Sequence, residues 1–436
     1  MQIIIHRGTK EIGGSCVEVK TNKTRVLIDF GIPLIGEQKK PFDSKTLIGK
    51  TVDDLKKLKI LPNIKGLYNT ENKAIDGILI SHSHMDHYGL LSYVHPDIPI
   101  YMSRGAKELI EISNIFTPNK ITKLNFQIIK SRKPYFIDWP FDIGDIKVTP
   151  YQADHSAFDA LAFLIEGDGK RLFYSGDFRG HGRKSSLKMI LMYPPKDIDC
   201  LLMEGSMLGR GDQKYRDEVA VQTRMEEILK SSNNITFLFA SSQNIDRIVS
   251  AYRACIRTGS TFVIDIYTAY ILDMLRKVSV RIPQFNWANV KVKFYKTHAD
   301  TLAKKVSTNL LYHYNSNKIE LPEINKKKDK ILMLMRDNSI FPSIVKSIKG
   351  VVGAKIIYSM WDGYLTQEFK SYCKQKGIAI ELVHTSGHAT VGDLRAFSNA
   401  LKPKALIPIH TFEADKYPNL FEKVKLLVDR EEYKVL

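Results

Sequence analysis

The chain has 436 residues, 44% of them apolar, with 65 lysines and arginines against 47 aspartates and glutamates and a formal net charge of +18. That length exceeds what a single core fills, so two or three lobes are expected, and no uncharged apolar run reaches the roughly 18 residues that a membrane span needs. The basic balance favours polyanionic partners, while the absence of a leader pattern at residues 1–7 and four scattered cysteines without a C-x-x-C pair point to a cytoplasmic protein lacking disulfides and iron–sulfur clusters.

Residues 2–6, 16–20 and 25–29 are short apolar or alternating runs broken by Gly8, Gly13, Gly14 and Asn22, the pattern of paired strands joined by tight turns. The third ends in Asp29 followed by Phe30 and Gly31, which sets a carboxylate at a strand rim where it can brace a loop. Residues 37–72 turn lysine-rich and predict an irregular excursion with a short helix over 52–58. The apolar run 77–80 then leads into Ser81-His82-Ser83-His84-Met85-Asp86-His87. Four metal-ligand side chains fall there within six residues. Side chains two apart on an extended strand end point the same way, so His82 and His84 face one ion, and a turn into a helix over 88–94 carries Asp86 and His87 to the side where a second binds. Imidazole and carboxylate without thiolate suits zinc, manganese or iron.

A strand over 98–102 and an amphipathic helix over 104–115 continue a β-α-β alternation. Residues 147–153 end a further strand at Asp154-His155. Strands 161–166 and 170–174 flank the hairpin turn Gly167-Asp168-Gly169, the second running into Ser175-Gly176-Asp177, and strand 198–203 runs into Glu204. From about residue 210 helices over 217–230, 244–257 and 267–277 alternate with strands over 235–240 and 261–265, followed by strands 331–336 and 354–359, a doubly wound parallel pattern. Residues 314–330, with Lys326, Lys327 and Lys328, predict a solvated loop. A helix over 364–376, strand 378–383, helix 390–401, strand 405–409 ending in His410, and helix 417–427 complete the chain.

Strand ends on one edge of a sandwich converge. Collecting their ligand-type residues gives His82, His84 and His155 for one ion, Asp86, His87 and His410 for a second, and Asp177 as a bridge, with positions left open for water. Two such ions steady an in-line displacement, so hydrolysis of a phosphodiester or acyl bond is the expected chemistry.

The H-x-H-x-D-H stretch together with Asp29, His155 and Asp177 resembles the metallo-β-lactamase superfamily. Glu204, the long α/β insertion, Ser386-Gly387-His388, the run 407–410 and the Phe239-Ala240-Ser241 segment are similar to the β-CASP nucleases, closest to ribonuclease J-like proteins. The resemblance implies an α/β fold, a metallo-β-lactamase αβ/βα sandwich (residues 1–207 and 363–436) interrupted by a β-CASP domain of mainly parallel sheet (208–362). It implies His82, His84, Asp86, His87, His155, Asp177 and His410 as ligands of two zinc ions, with manganese as the alternative. Asp86, Glu204 and His388 are then catalytic: His388 meets the scissile phosphate and is held by Glu204, while Asp29 fixes the ligand loop. The DNA-repair branch usually carries valine where His410 stands, so RNA is favoured.

The residues themselves allow phosphate contacts from Ser386, Gly387 and His388, and a carboxylate beside His388 would keep its ring protonated. Ser241 and Ser242 either hold a phosphate at a helix N-terminus or cap that helix, and Arg247 and Arg336 are candidates for backbone contacts. His384 has no required role. The expectation is a two-zinc hydrolase that cleaves single-stranded RNA by metal-bound hydroxide attack, as exonuclease, endonuclease or both. A deoxyribonuclease acting on single strands or ends is the alternative, and a non-catalytic RNA-binding subunit a third reading. A homodimer is compatible with the resemblance; a membrane is not. Two departures stand out: only 26 residues follow His410, so the C-terminal domain usual in ribonuclease J is not expected, and Thr411-Phe412-Glu413 replaces the glycine-glutamate of many relatives.

Overall fold

The computed structural model describes residues 1–35, 41–117, 121, 124–132, 136–211 and 213–436. Residues 37–40 of the expected lysine-rich excursion lie outside them. The chain divides into two compact units, Met1–Gly211 with Gly387–Leu436, and Asp212–Ser386.

The first unit is a sandwich of two sheets. One contains β1 (Gln2–Arg7), β2 (Cys16–Lys20), β3 (Arg25–Ile28), β4 (Gly77–Leu79), β5 (Pro99–Met102) and β6 (Asn125–Ile128), with β19 (Glu432–Lys434) added at the β1 edge. The other contains β7 (Phe141–Ile143), β8 (Ile146–Gln152), β9 (Leu161–Gly167), β10 (Lys170–Tyr174), β11 (Cys200–Glu204) and β18 (Ala405–Ile409), in the order β18-β11-β10-β9-β8-β7. Alternation along each strand builds the layers. In β9, Leu161, Phe163 and Ile165 join the core between the sheets with Ile3, Val17, Val26 and Leu79, whereas Ala162 and Leu164 join an outer core with Leu394 and Phe397 of the helix Val391–Leu401. The other sheet buries Leu27, Ile78 and Ile100 against Ala106 and Ile110 of the helix Arg104–Phe116. With both faces of each sheet covered, strands such as β11 are buried at every residue, and ligand-bearing residues are confined to strand ends.

The second unit is one sheet in which every pairing is parallel, with order β14-β13-β15-β12-β16-β17. Its strands are β12 (Thr236–Phe239), β13 (Thr261–Asp265), β14 (Val290–Lys293), β15 (Ile331–Met335), β16 (Lys355–Tyr358) and β17 (Ala379–Leu382). The expected return to the sandwich at residue 363 is displaced to Gly387. The reason is that β17 pairs with β16, and the helix Gln367–Gln375 buries Phe369 and Cys373 in the core of this unit.

Three local expectations also change. The helix expected over 88–94 is a single turn, Met85–Tyr88, followed by a 3-10 turn Leu91–Tyr93. The expected solvated loop 314–330 contains the helix Leu321–Lys326 and buries Tyr314, Ile319 and Ile324. In place of a helix over 417–427 there is a 3-10 segment Ala414–Asn419 with Pro418 inside it, a residue without the N–H that an α-helix would use. Among the described residues no helix is long and apolar enough to cross a membrane.

Candidate metal centre

All seven candidate ligands lie in the first unit, at the C-terminal ends of β4, β8, β10 and β18. The one-turn helix bearing Asp86 and His87 is laced to its neighbours by backbone bonds. Phe30 N donates to His87 O at 2.7 Å, Ile32 N to Met85 O at 3.1 Å and Ser15 N to Asp86 O at 3.2 Å. Gly31 has to be glycine here, because a Cβ would lie 1.6 Å from Asp86 O. Asp29 and His410 both adopt positive φ, 58° and 52°, conformations that cost non-glycine residues free energy and persist where the surroundings impose them. His410 N donates to Gly8 O at 2.7 Å, which fixes that backbone.

Asp29 is fully buried and organises one side of the site. Its Oδ1 accepts Ser81 N at 2.8 Å, and its Oδ2 accepts Ser81 Oγ at 2.8 Å, Tyr174 OH at 2.7 Å and His87 Nδ1 at 2.8 Å. Burial, with Asp29 beside it, pushes the Tyr174 hydroxyl well above its ordinary range, so it stays a donor. His155 Nδ1 donates to Gly387 O at 2.5 Å. In both His87 and His155 the Nδ1 contact turns Nε2 inward, the orientation that a metal ligand requires. Gly387 also approaches closely, since a Cβ there would lie 2.4 Å from Ser156 Oγ.

The centre of the arrangement is Asp177 Oδ2. His87 Nε2 lies 3.2 Å from it, His410 Nε2 3.5 Å, His82 Nε2 3.7 Å, His388 Nδ1 3.7 Å and His155 Nε2 4.0 Å. On one side His84 Nδ1 is 3.2 Å from His82 Nε2 and 3.1 Å from His155 Nε2. On the other, Asp86 Oδ2 is 3.7 Å from both His87 Nε2 and His410 Nε2. The donor atoms of His82, His84 and His155 form one compact group and those of Asp86, His87 and His410 another, while Asp177 groups with His82 and His87 and with His155 and His388.

These residues fit divalent cations. Ligand atoms around a tetrahedral ion with bonds of about 2.1 Å stand roughly 3.4 Å apart, the spacing seen here. His87 Nε2 and His410 Nε2 are buried and make no hydrogen bond, a costly state that coordination would relieve. Burial, reinforced by neighbouring imidazoles, holds His82 and His155 well below the ordinary histidine range, and burial lowers His84 to about 4, so all three are neutral ligands at pH 7. Burial also lowers His410. His87 is opposed by burial, but Asp177, Asp29 and Asp86 outweigh it and raise it well above the ordinary value. The carboxylates thus draw positive charge to the place where an ion would sit.

Beside this group, His388 Nδ1 lies 3.1 Å from Glu204 Oε2 and 3.3 Å from Oε1. Burial disfavours its cation, yet Glu204 and Asp177 outweigh that and raise its pKa to about 9. Glu204 is itself buried and fixed by Phe178 N at 3.0 Å and Ser206 N at 3.2 Å.

The remaining expected contacts lie in the second unit, and most are occupied. Arg247 is a correction: it is fully buried, its guanidinium bound to Glu218 at 3.0 and 3.2 Å and to Ser359 O at 2.8 Å, so it is a core ion pair and not a surface contact. Arg336 donates to Asp265 Oδ2 at 2.8 Å and to Ser242 Oγ, and lies over the Tyr267 ring. Ser242 is buried and also bonded to Thr268 Oγ1 at 2.7 Å. Ser241 is exposed and accepts Gln243 N at 3.2 Å. Neither serine caps the helix Ile245–Thr258; Asn244 does. Ser386 N donates to Gln213 Oε1 at 2.6 Å, and His384 Nδ1 lies 3.2 Å from Ser359 O. Sequence reasoning missed Tyr174, Ser81 and Ser15, whose Oγ lies 2.9 Å from His410 Nδ1. Only Ser81 carried a signal, its place beside His82.

A two-sheet sandwich with helices on its outer faces and a histidine–aspartate centre at one set of strand ends defines the metallo-β-lactamase class of metal-binding proteins. Family models agree: residues 9–101 match the metallo-beta-lactamase superfamily and residues 61–231 a beta-lactamase superfamily domain. The chain belongs to the metallo-β-lactamase superfamily. Within it, the chain is 27% identical to an RNase J-like protein of Methanocaldococcus jannaschii over 303 residues, 66% of this chain and 62% of that protein. It is 21% identical to ribonuclease J of Helicobacter pylori over 421 residues, 92% of this chain and 55% of that protein. The chain thus spans 55–62% of the length of these two curated relatives. A crystal structure of a protein of unknown function from Enterococcus faecalis V583 superposes with a TM-score of 0.78 over 99% of both chains at 21% identity, which supports the fold.

Proposed function

We propose that the chain is a metal-dependent ribonuclease that hydrolyses phosphodiester bonds of single-stranded RNA, using two divalent cations, zinc or manganese. The observation that carries this reading is the set of five imidazole nitrogens within 4.0 Å of Asp177 Oδ2, and the similarity to ribonuclease J points it toward RNA. His82, His84 and His155 would hold one cation, Asp86, His87 and His410 the other, with Asp177 between them. Bound there, the cations supply a water of lowered pKa and neutralise charge on the phosphoryl group.

The chain's own groups account for the rest. Asp29 and the Gly387 carbonyl keep His87 and His155 in the tautomer that presents Nε2. His388, cationic at neutral pH because Glu204 and Asp177 stand beside it, donates to a non-bridging phosphate oxygen or gives its proton to the leaving oxygen. Glu204 keeps that ring oriented. Residues 212–386 hold 27 of the lysines and arginines against 16 aspartates and glutamates, a basic balance suited to a polyanion.

Incubation of the purified chain with zinc or manganese and 5′- or 3′-labelled single-stranded RNA tests the reading, beside DNA oligonucleotides of matched sequence. Metal-dependent cleavage of RNA that Asp86→Ala abolishes is expected. Intact RNA under both metals would refute it, and cleavage of DNA alone would replace it with a deoxyribonuclease.

A further inference from the structure

The segment that leaves β10 with Asp177 is held by carboxylates outside the ligand groups. Asp154 is 1% exposed and Arg179 fully buried. Arg179 Nε donates to Asp154 Oδ1 at 3.0 Å and Arg179 N to Asp154 O at 2.7 Å. Lys184 N donates to Asp154 Oδ2 at 2.8 Å, and Gly182 packs so near that a Cβ would lie 2.1 Å from Oδ1. Gly180 N donates to Asp393 Oδ2 at 3.2 Å. The Asp393 side chain also closes the capping box that starts the helix Val391–Leu401, just after His388.

Asp154 immediately precedes His155, and Arg179 follows Asp177 by two residues. We propose that Asp154 and Arg179, supported by Asp393, are positioning residues that set the spacing of His155, Asp177 and His388 and so govern one of the two cation sites. The inference rests on the two-cation reading above. The charge-assisted Asp154–Arg179 bond ties the β8 end to the β10 end, and the Asp393 contact ties the latter to the helix behind His388. Asp86, His87 and His410 depend on other supports: Ser15 N holds Asp86 O, Asp29 holds His87 Nδ1, and Gly8 O holds His410 N. Asp177 stands between the two cations, but His155 serves only the one held with His82 and His84, so loosening the Asp154–Arg179 tie weakens that cation more than the other.

Metal-stripped protein titrated with Co2+ alone, followed by visible absorption and calorimetry, tests this with melting temperature recorded in parallel. Wild type takes up two ions. Asp154→Asn weakens one of them roughly 10–100-fold, the usual effect of losing an outer support of a ligand, and leaves the other within about twofold. Asp393→Ala, a change at a partly exposed side chain, weakens the same ion several-fold. Unchanged affinities in folded variants, with only the melting temperature lowered, overturn the inference. Should Asp154→Asn fail to fold, Asp393→Ala decides alone. A wild type that binds a single ion refutes the two-cation reading, and the positioning role is then judged on that ion, unchanged affinity in the variants again overturning it.

Discussion

Replacing Asp29 by asparagine keeps the side chain's size but removes a charge from a carboxylate that receives four donors. Asparagine has a single carbonyl oxygen. Placed where Oδ2 stands, it still accepts Ser81 Oγ, Tyr174 OH and His87 Nδ1, but its NH2 group then faces the Ser81 N–H, donor against donor. The opposite orientation strands three donors instead of one, so the first is chosen. Leaving a buried donor unsatisfied costs about 1–3 kcal/mol, and the loss of charge assistance on the remaining bonds adds a further ~1–2 kcal/mol. Asp29→Asn is therefore expected to destabilise the sandwich unit by about 2–5 kcal/mol, measured by urea unfolding of the metal-free protein. It also frees the His87 ring to rotate or change tautomer, lowering cation affinity roughly 10–100-fold. A variant within about 0.5 kcal/mol of wild type that binds metal equally well would refute the account of Asp29.

The other predictions concern His388, Glu204 and Arg247. The folded-state pKa of His388, raised to about 9 from 6.5, means that its charge stabilises the fold fully below about pH 6.5 and that this contribution disappears as pH rises through 9. Wild type should therefore exceed His388→Asn in stability by on the order of 3 kcal/mol near pH 6, with the gap closing by pH 10 in the metal-free protein; a pH-independent gap contradicts the pairing with Glu204. Glu204→Gln removes the carboxylate beside that ring, so the alkaline limb of the pH–rate profile is expected to move down by about one to two units, and an unmoved limb assigns it to another group. Arg247→Met strands the buried Glu218 carboxylate and should cost about 3–5 kcal/mol in stability while cation affinity is retained; an unaltered melting temperature with weakened RNA binding would restore Arg247 as a surface contact.

The clustering of the seven candidate ligands was legible because its signals are local. Each candidate follows an apolar run, strands buried on both faces leave polar groups only at their ends, and the H-x-H-x-D-H spacing brings four of the seven together within six residues. Apart from Asp29 and Glu204 the supports were not legible, since Tyr174, Ser15 and Asp154 become partners of the site only through sheet order and loop approach. Nothing in the sequence sets Gly31 apart from other glycines, although its missing side chain is what admits the Asp86 carbonyl. Arg247 and Arg336 carry the sequence signature of surface cations, and only tertiary packing reveals that each already has an acidic partner. The inserted unit runs to Ser386, 24 residues beyond the expected end at 362, because an amphipathic helix followed by a short strand reads the same in either unit. The β14 strand, Val290–Lys293, alternates valine and lysine over four residues at a sheet edge, too short a run to stand out from the polar sequence around it.

The most direct test of the central claim is metal-dependent cleavage of end-labelled single-stranded RNA by wild type and Asp86→Ala, assayed side by side with bound metal counted in both. The account predicts cleavage by wild type loaded with two cations per chain, and loss of both cleavage and full metal occupancy in Asp86→Ala. Wild-type protein carrying two cations that leaves RNA intact, or an Asp86→Ala variant that cleaves as fast as wild type, would contradict it.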